Sequence, residues 1–224
     1  LETVLAENAE RLSSDAVLWE SYLREDDGRP AVGFGCRGGM EISLSLNILA
    51  SNQHPSYSQI LRSAPLEMMK AITSLVDDEG AIAVPGFTDS AITPDAAAKK
   101  RTQELSLPID AISLPGVSPL QGLPAAQLKE NFIFRPSMSL SGFDLDSSVR
   151  QSIPASCTAR VRFGLVPGMD PRACFDTLKT HFSSTAPDIQ IELIRTMQPA
   201  FSPADTPFAV SVLEAATKAF EAEP

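Results

Sequence analysis

The chain has 224 residues, 43% of them hydrophobic, and a mean hydropathy of zero, which is typical of a globular chain able to bury a core. Its 28 acidic and 18 basic side chains give a net charge of −10, which argues against nucleic acid or an anionic membrane surface as a partner. No apolar run approaches the ~20 residues that a membrane-spanning helix needs.

Cysteine usage points to a reducing compartment. Cys36, Cys157 and Cys174 are far apart in sequence, and there is no C-x-x-C motif. This pattern argues against a disulfide framework. We therefore expect a cytoplasmic protein in which all three thiols are buried and structural.

The first half of the chain predicts two helices and two strands. Residues 1–12 (LETVLAENAERL) have the apolar spacing of an amphipathic helix, unlike a signal peptide. AVLWES (16–21) is interpreted as a short apolar strand. From residue 40 to 48, apolar and polar residues alternate, as in a strand with one solvated face. PLEMMKAITSLVD (65–77) predicts a helix whose apolar stripe is Leu66, Met69, Ile72 and Leu75 or Val76.

Further elements follow an irregular region of helix and loop in residues 92–130. The predicted elements are strands in SMSLSGF (137–143), ASCTARVRFGLVPG (155–168) and IQIELIRTM (189–197), and helices in DPRACFDTLKTHFSS (170–184) and TPFAVSVLEAATKAFEA (206–222). Strand–helix–strand, then strand–helix–strand, suits an α+β two-layer sandwich, in which an antiparallel four-stranded sheet carries two helices on one face.

The residues on their own do not supply a complete active site. There are two histidines, and neither stands in H-x-D, H-x-x-x-H or H-E-x-x-H; a Glu-Glu pair and a G-x-S-x-G motif are also missing. His181 lies within a predicted helix and is interpreted as a surface or half-buried residue. His54 lies in a turn, where a catalytic group, a metal ligand and a surface residue all remain open interpretations.

The order of the motifs resembles one family. The stretches that carry the resemblance are GRPAVGFGCRGGMEISLSL, a histidine in a turn, SLVDDEGAIAVPGF, RPSMSLSGF, QSIPASCTARVRFGLVPGMDP and FAVSVLEAATKAFEAEP. In this order they look like the central part of the zinc-dependent exopeptidases of the aminoacylase, carnosinase and glutamate-carboxypeptidase group. The resemblance runs over nearly the whole chain.

The resemblance implies a segment of a larger enzyme. In that family a smaller lid or dimerisation domain is inserted into a catalytic domain that holds two zinc ions. Residues 36–198 are predicted to be a ferredoxin-like lid, and residues 1–35 and 199–224 to be fragments of the α/β catalytic domain. The parent would be a homodimeric exopeptidase or dipeptidase that hydrolyses small peptides or N-acyl amino acids, and this segment would be inactive by itself.

The resemblance also implies site residues. His54 matches a lid histidine that reaches into the partner's active site and donates to the oxygen that becomes negative as zinc-bound hydroxide attacks the amide carbonyl. In this chain Asn52 replaces the family's acid, and Pro55 follows the histidine. Glu20 in LWES matches a carboxylate ligand of zinc, and Ser152 in QSIP matches a hydroxyl near the substrate.

One departure bears on substrate binding. Gly164 stands where the family has a substrate-binding arginine, and Arg162, two residues earlier on the same strand face, is the predicted substitute. This departure keeps two further hypotheses open: a dimerisation module of a non-catalytic relative, and a small-ligand-binding domain. EISLSLNILA (41–50), which precedes His54, is predicted to be the edge strand through which two lids pair.

Overall fold

The computed structural model describes residues 4, 7–19, 25, 27–105, 123–145 and 151–224. The chain divides into two compact units, Gly35–Phe201 on the one hand and Leu1–Phe34 with Ser202–Pro224 on the other. None of the helices in the described ranges is both long and apolar enough to cross a membrane.

Six helices and six strands occur in the described residues. In chain order they are α1 (Ala9–Leu12), β1 (Gly35–Cys36), β2 (Gly38–Asn47), α2 (Ala64–Thr73), α3 (Ala96–Glu104), α4 (Ala125–Phe134), β3 (Ser137–Leu145), β4 (Ser156–Leu165), α5 (Pro171–Thr185), β5 (Gln190–Met197), β6 (Ala200–Phe201) and α6 (Pro207–Phe220). A single 3-10 turn spans Pro55–Tyr57.

The Gly35–Phe201 unit is built around a four-stranded sheet. Its strand order is β3-β4-β2-β5, and every neighbouring pair is antiparallel. α2 lies over β4 and β2, α5 lies over β2 and β5, and both helices contribute to one hydrophobic core. The predicted α+β sandwich is confirmed, and its β-α-β-β-α-β connectivity is ferredoxin-like.

The core forms where the alternating strands face the two helices. Apolar residues of β2 are buried at every second position, and β4, its neighbour, shows the same alternation. The buried residues of these strands are Met40, Ile42, Leu44, Leu46, Cys157, Ala159, Val161, Phe163 and Leu165. α5 begins as predicted, because the Asp170 carboxylate accepts a hydrogen bond from the Ala173 N–H at 2.8 Å. Local sequence signals therefore place this core correctly.

The predicted apolar stripe of α2 is partly wrong. Ile72 is buried, but Leu66 is 56% exposed and Met69 is 45% exposed. The buried face instead follows the four- and three-residue steps through Ala64, Met68 and Ala71. α2 therefore has apolar residues on two faces, and the outer face is not covered by the Gly35–Phe201 unit.

β2 is a central strand, and the prediction that EISLSLNILA forms an edge is wrong. Ser45 is paired with Thr158 on β4 and with Gln190 on β5, so both sides of the strand are occupied. The two open edges of the sheet are β3 and β5. A partner chain that extends the sheet must therefore pair with one of these two strands.

Replacing Ser45 with proline should destabilise the fold rather than dissociate a dimer. Proline removes one ladder N–H and leaves its acceptor unpaired inside the sheet, at a cost of roughly 2–4 kcal/mol. Urea unfolding of Ser45→Pro, with Ser45→Ala as the control, measures this loss. An unchanged unfolding midpoint together with a monomeric mass would reinstate β2 as an edge.

The cysteines do not share one environment. Cys157 and Cys174 are buried, and burial raises the pKa of each thiol to about 11. Cys36 is exposed on β1, which contradicts the expectation that all three thiols are buried. β1 pairs with β6 in a short antiparallel ribbon at the two ends of the unit, Gly35 opposite Phe201 and Cys36 opposite Ala200.

In the flanking unit, the helices predicted in residues 1–12 and 206–222 are present as α1 and α6, and the strand predicted in residues 16–21 is not found in its described part. α6 begins after Thr206, whose hydroxyl accepts from the Ala209 N–H at 3.3 Å. Ala16–Trp19 are irregular rather than extended in a sheet, and Trp19 is 86% exposed. A strand needs a neighbour to pair with its backbone, and in the described ranges this segment has none.

Candidate functional site

His54 is presented by a loop that is anchored to the segment leading into β4. Gln53 and Ile153 exchange two backbone hydrogen bonds, with N···O distances of 3.1 and 2.8 Å. The Asn52 side-chain oxygen accepts a further bond from the Ala155 N–H at 2.8 Å. The loop is thus fixed immediately before the exposed His54, which starts the 3-10 turn.

The imidazole of His54 is bonded within its own turn. Nδ1 accepts from the backbone N–H of Ser56 at 3.2 Å and lies 2.8 Å from the Ser56 Oγ. Pro55 occupies the first position of the turn, so Ser56 is the second residue, whose N–H commonly bonds to a capping side chain. None of the described residues forms a hydrogen bond with Nε2, and this nitrogen remains available to a ligand.

Ser152 lies beside His54. Gln53 and Ile153 form an antiparallel bridge, so the register places His54, which follows Gln53, opposite Ser152, which precedes Ile153. The structure therefore brings together two residues that the sequence analysis named separately. Their catalytic and substrate-binding roles stay predictions.

Arg162 lies at the other end of the sheet. It pairs across the strands with Glu41, its Nε lying 3.2 Å from a Glu41 carboxylate oxygen, and Arg195 approaches the same oxygen at 3.6 Å. From residue 41 to residue 47, β2 advances about 20 Å at the usual rise of about 3.3 Å per residue. His54 and Arg162 of one chain are therefore too far apart to bind the same small substrate.

Ser137 and Arg37 fill the space that a side chain at position 164 would enter: a Cβ there would lie 2.6 Å from the Ser137 Oγ and 3.0 Å from the Arg37 Nη2. The Arg37 guanidinium donates to the carbonyls of Phe132 and Arg135 at the end of α4. Partial burial lowers the pKa of Arg37. The role of Arg37 was not predicted from the sequence, because its partners lie about 95 positions further along the chain. Because its donors are engaged by carbonyls, Arg37 is no replacement for a substrate-binding arginine.

The described residues do not form a metal site. In the ranges that the structure covers, no three His, Cys, Asp or Glu side chains are grouped so that they could hold a metal ion. Glu20, the predicted zinc ligand, lies outside the described residues. The chemistry of the candidate site in this chain therefore rests on His54.

A cleft of about 160 Å³ between α2 and the loop before β5 contains none of the candidate residues. Arg62 bonds to Asp188 at 2.7 Å and to Glu67 at 3.4 Å, and Lys70 bonds to Glu67 at 3.0 Å. The charges that line this cleft thus neutralise one another. It offers little to a charged ligand and does not support the small-ligand hypothesis.

His181 joins the two core helices and is half-buried, as predicted. Its Nε2 lies 2.9 Å from the Ser74 Oγ on the segment that ends α2, and its ring makes an edge contact with Phe182. Burial lowers the pKa of His181 below its ordinary value of 6.5. Its role in the described structure is to hold α5 against α2.

This lowered pKa predicts a loss of stability on acidification. Above about pH 6.5 the ring is neutral in both states, but below it the unfolded chain binds the proton more readily than the folded one. The urea midpoint should therefore fall from pH 7.5 to pH 5.5, and fall less in His181→Gln, which keeps a donor for Ser74. Equal pH dependence in the two proteins would contradict this assignment.

The fold defines the class of the molecule: a ferredoxin-like domain with a histidine turn at one end of its sheet. The family model described as the peptidase dimerisation domain (M20_dimer) matches residues 37–190, which is more than half of the chain. The chain therefore belongs to the peptidase dimerisation domain family. The resemblance to this group of exopeptidases is confirmed.

Three solved structures share the fold. The M20 family metallo-carboxypeptidase Sso-CP2 from Sulfolobus solfataricus has a TM-score of 0.87 at 22% identity, covering 100% of this chain and 52% of that one. Human carnosine dipeptidase 1 has a TM-score of 0.76 at 18% identity, and the match covers 100% of this chain and 50% of that one. The di-peptidase Dug1p from Saccharomyces cerevisiae has a TM-score of 0.65 at 17% identity, and the match covers 88% of this chain and 43% of that one. No curated protein matches the chain significantly.

The chain spans about half the length of the solved structures that it matches. Its Gly35–Phe201 unit includes the range 36–198 assigned to a lid, whereas the assignment of the flanks to a catalytic domain stays a prediction.

Proposed function

We propose that this chain is the lid and dimerisation segment of a longer cytoplasmic di-zinc exopeptidase or amidohydrolase. The parent hydrolyses peptide or amide bonds in small peptides or N-acyl amino acids, and it is a homodimer. The observation that carries the proposal is an exposed histidine on an anchored turn of a peptidase dimerisation domain.

The dimer forms through β3. β3 carries one charged residue, Asp144 near its end, whereas the other edge, β5, carries Glu192 and Arg195, and charged side chains oppose edge pairing. Leu140 pairs with the buried Val161, so it faces the helix layer, yet it is 49% exposed. Leu140 therefore presents exposed apolar surface at the edge of the core, and a partner chain paired with β3 would cover it.

The surface of α2, the helix on the β3 side of the sheet, also favours β3 as the dimer edge. Glu67, Lys70 and Ser74 line the cleft toward β5, so Met69 lies on the side of α2 that faces β3, with Leu66 on the outer surface. The helix next to β5 is polar outside: the exposed residues of α5 include Arg172, Asp176, Lys179, Thr180 and Ser183. Apolar surface on both α2 and β3 favours a second copy of this chain as the occupant.

Two-fold pairing of β3 with its partner makes a composite site. Antiparallel pairing sets the end of one sheet that holds His54 beside the opposite end of the partner's sheet, where Arg162 lies. The distance of about 20 Å along one sheet is then bridged by the second subunit. His54 acts in trans, and Arg162 with Ser152 contributes to substrate binding.

The role of His54 is to donate a hydrogen bond. When a nucleophile adds to the amide carbon, the carbonyl oxygen becomes negative, and a placed N–H donor stabilises it by about 3 kcal/mol. Nε2 is the ring nitrogen without a partner among the described residues. The two zinc ions belong to the catalytic domain of the parent, with Glu20 as one ligand.

The test of the proposal is an activity assay of the longer polypeptide that contains this segment. The purified protein, supplied with zinc, is expected to release amino acids from dipeptides or N-acyl amino acids, and the 224-residue chain is expected to release none. A longer polypeptide that dimerises but hydrolyses no substrate of either class would instead support the non-catalytic dimerisation module. Gly164, in place of the family arginine, is the observation that favours that alternative.

A further inference from the structure

The geometry points to Ser56 as a positioning residue that fixes the tautomer of His54, with the proton on Nε2. This inference rests on the proposed function, in which His54 donates from Nε2 to a negative oxygen. It goes beyond it by naming the residue that prepares the ring for that task. The two observations that carry it are the 3.2 Å contact of Nδ1 with the Ser56 backbone N–H and the 2.8 Å contact with the Ser56 hydroxyl.

A backbone N–H is only a donor, so the atom it bonds to must present a lone pair. In the neutral imidazole one nitrogen carries the proton and the other carries the lone pair. Since Nδ1 accepts from Ser56, the proton is on Nε2. The hydroxyl of Ser56 has a free choice of direction, and the lone pair of Nδ1 directs its hydrogen toward the ring as a second donor.

The residues on either side of His54 determine how Ser56 contacts the ring. Asn52 stands where the family has an acid, and its side-chain oxygen bonds to the Ala155 N–H. Pro55, the inserted residue, sets the first position of the 3-10 turn and so places Ser56 second, with its N–H directed at the capping ring.

The tautomer decides what His54 can do. With the proton on Nε2, the free side of the ring is a hydrogen-bond donor and cannot accept a proton as a general base from the same nitrogen. The turn therefore prepares His54 to stabilise negative charge on oxygen. If the ring exchanged freely between tautomers, Nε2 would carry the proton in only part of the molecules. The fraction of enzyme that can donate from Nε2 would then be lower.

The first arm of the test is long-range ¹H–¹⁵N correlation NMR on the ¹⁵N-labelled 224-residue chain, at a pH where the ring is neutral. His181→Gln assigns the two rings. The expected spectrum of His54 has a protonated, pyrrole-type Nε2 and an unprotonated, pyridine-type Nδ1. Ser56→Ala removes the hydroxyl contact and keeps the backbone N–H, so it should move both shifts part of the way toward the average of the two tautomers. Ser56→Thr, which keeps the hydroxyl, should restore them.

The second arm is kinetic, in the longer enzyme. Ser56→Ala is expected to lower kcat about tenfold, the factor that corresponds to one neutral hydrogen bond, with KM nearly unchanged and with recovery in Ser56→Thr. A pyrrole-type Nδ1 in the unsubstituted chain overturns the inference, and a Ser56→Ala spectrum identical to that of the unsubstituted chain overturns the role of the Ser56 side chain in it. If the tautomer is as expected but His54→Ala retains full activity, the proposed catalytic role fails and the assignment of the tautomer stands.

Discussion

Replacing His54 with alanine in the longer enzyme is expected to lower kcat by about two to three orders of magnitude, the usual effect of removing one donor to a developing oxyanion. KM should change little, because the donor acts mainly in the transition state. Steady-state kinetics measures both constants. The exposed Gln59, close to His54 in sequence, provides the control: Gln59→Ala should retain full activity.

Mixed dimers test whether His54 acts across the subunit interface. His54→Ala and Glu20→Gln are each expected to be nearly inactive alone. Randomly mixed subunits should recover roughly one quarter of the activity, because half of the dimers are heterodimers and each has one intact site of two. If the histidine acts within its own subunit, every site keeps a defect and mixing restores nothing.

Replacing Leu140 with aspartate is expected to raise the dimer dissociation constant by about 100-fold or more. In the proposed dimer the charge lies at an apolar edge that the partner covers, and the two-fold axis brings two copies of it into one interface. Sedimentation velocity over a range of concentrations measures the change. Leu140 is 49% exposed, so the folded monomer should tolerate the aspartate, and the urea midpoint checks this.

The opposite edge supplies the matched variant. Ile194 on β5 is 51% exposed, nearly as much as Leu140, so Ile194→Asp introduces the same charge at the same degree of exposure. This variant should remain dimeric. The reverse result, with monomers from Ile194→Asp and dimers from Leu140→Asp, would assign the interface to β5.

Short-range signals in the sequence were sufficient for the four strands of the main sheet and the two helices that cover it. The alternation through Met40, Ile42 and Leu44 and the Asp170 cap depend on neighbouring residues alone, and both were predicted correctly. The place of β2 within the sheet depends on its pairing with residues more than 100 positions away. A strand with one polar face looks the same in sequence whether it is central or at an edge, so its place could not be read locally.

Individual residues of the candidate site could be predicted from the sequence, but their arrangement in space could not. His54 and Ser152 were chosen separately from the resemblance, and only the Gln53–Ile153 bridge shows that they are neighbours. The contacts of Arg37 and Ser56 could not be predicted, because each depends on the local geometry of a strand end or a turn. Short polar contacts of this kind have no periodic signature in the sequence.

The ribbon of β1 and β6 has an evolutionary consequence. Gly35 and Phe201 are direct partners, so the polypeptide enters and leaves the Gly35–Phe201 unit at points about 5 Å apart. A module with adjoining ends can be inserted into a surface loop of a host protein without stretching that loop, and it can be exchanged for another module of different length. The close approach of Gly35 and Phe201 thus makes this unit suited to insertion as a module.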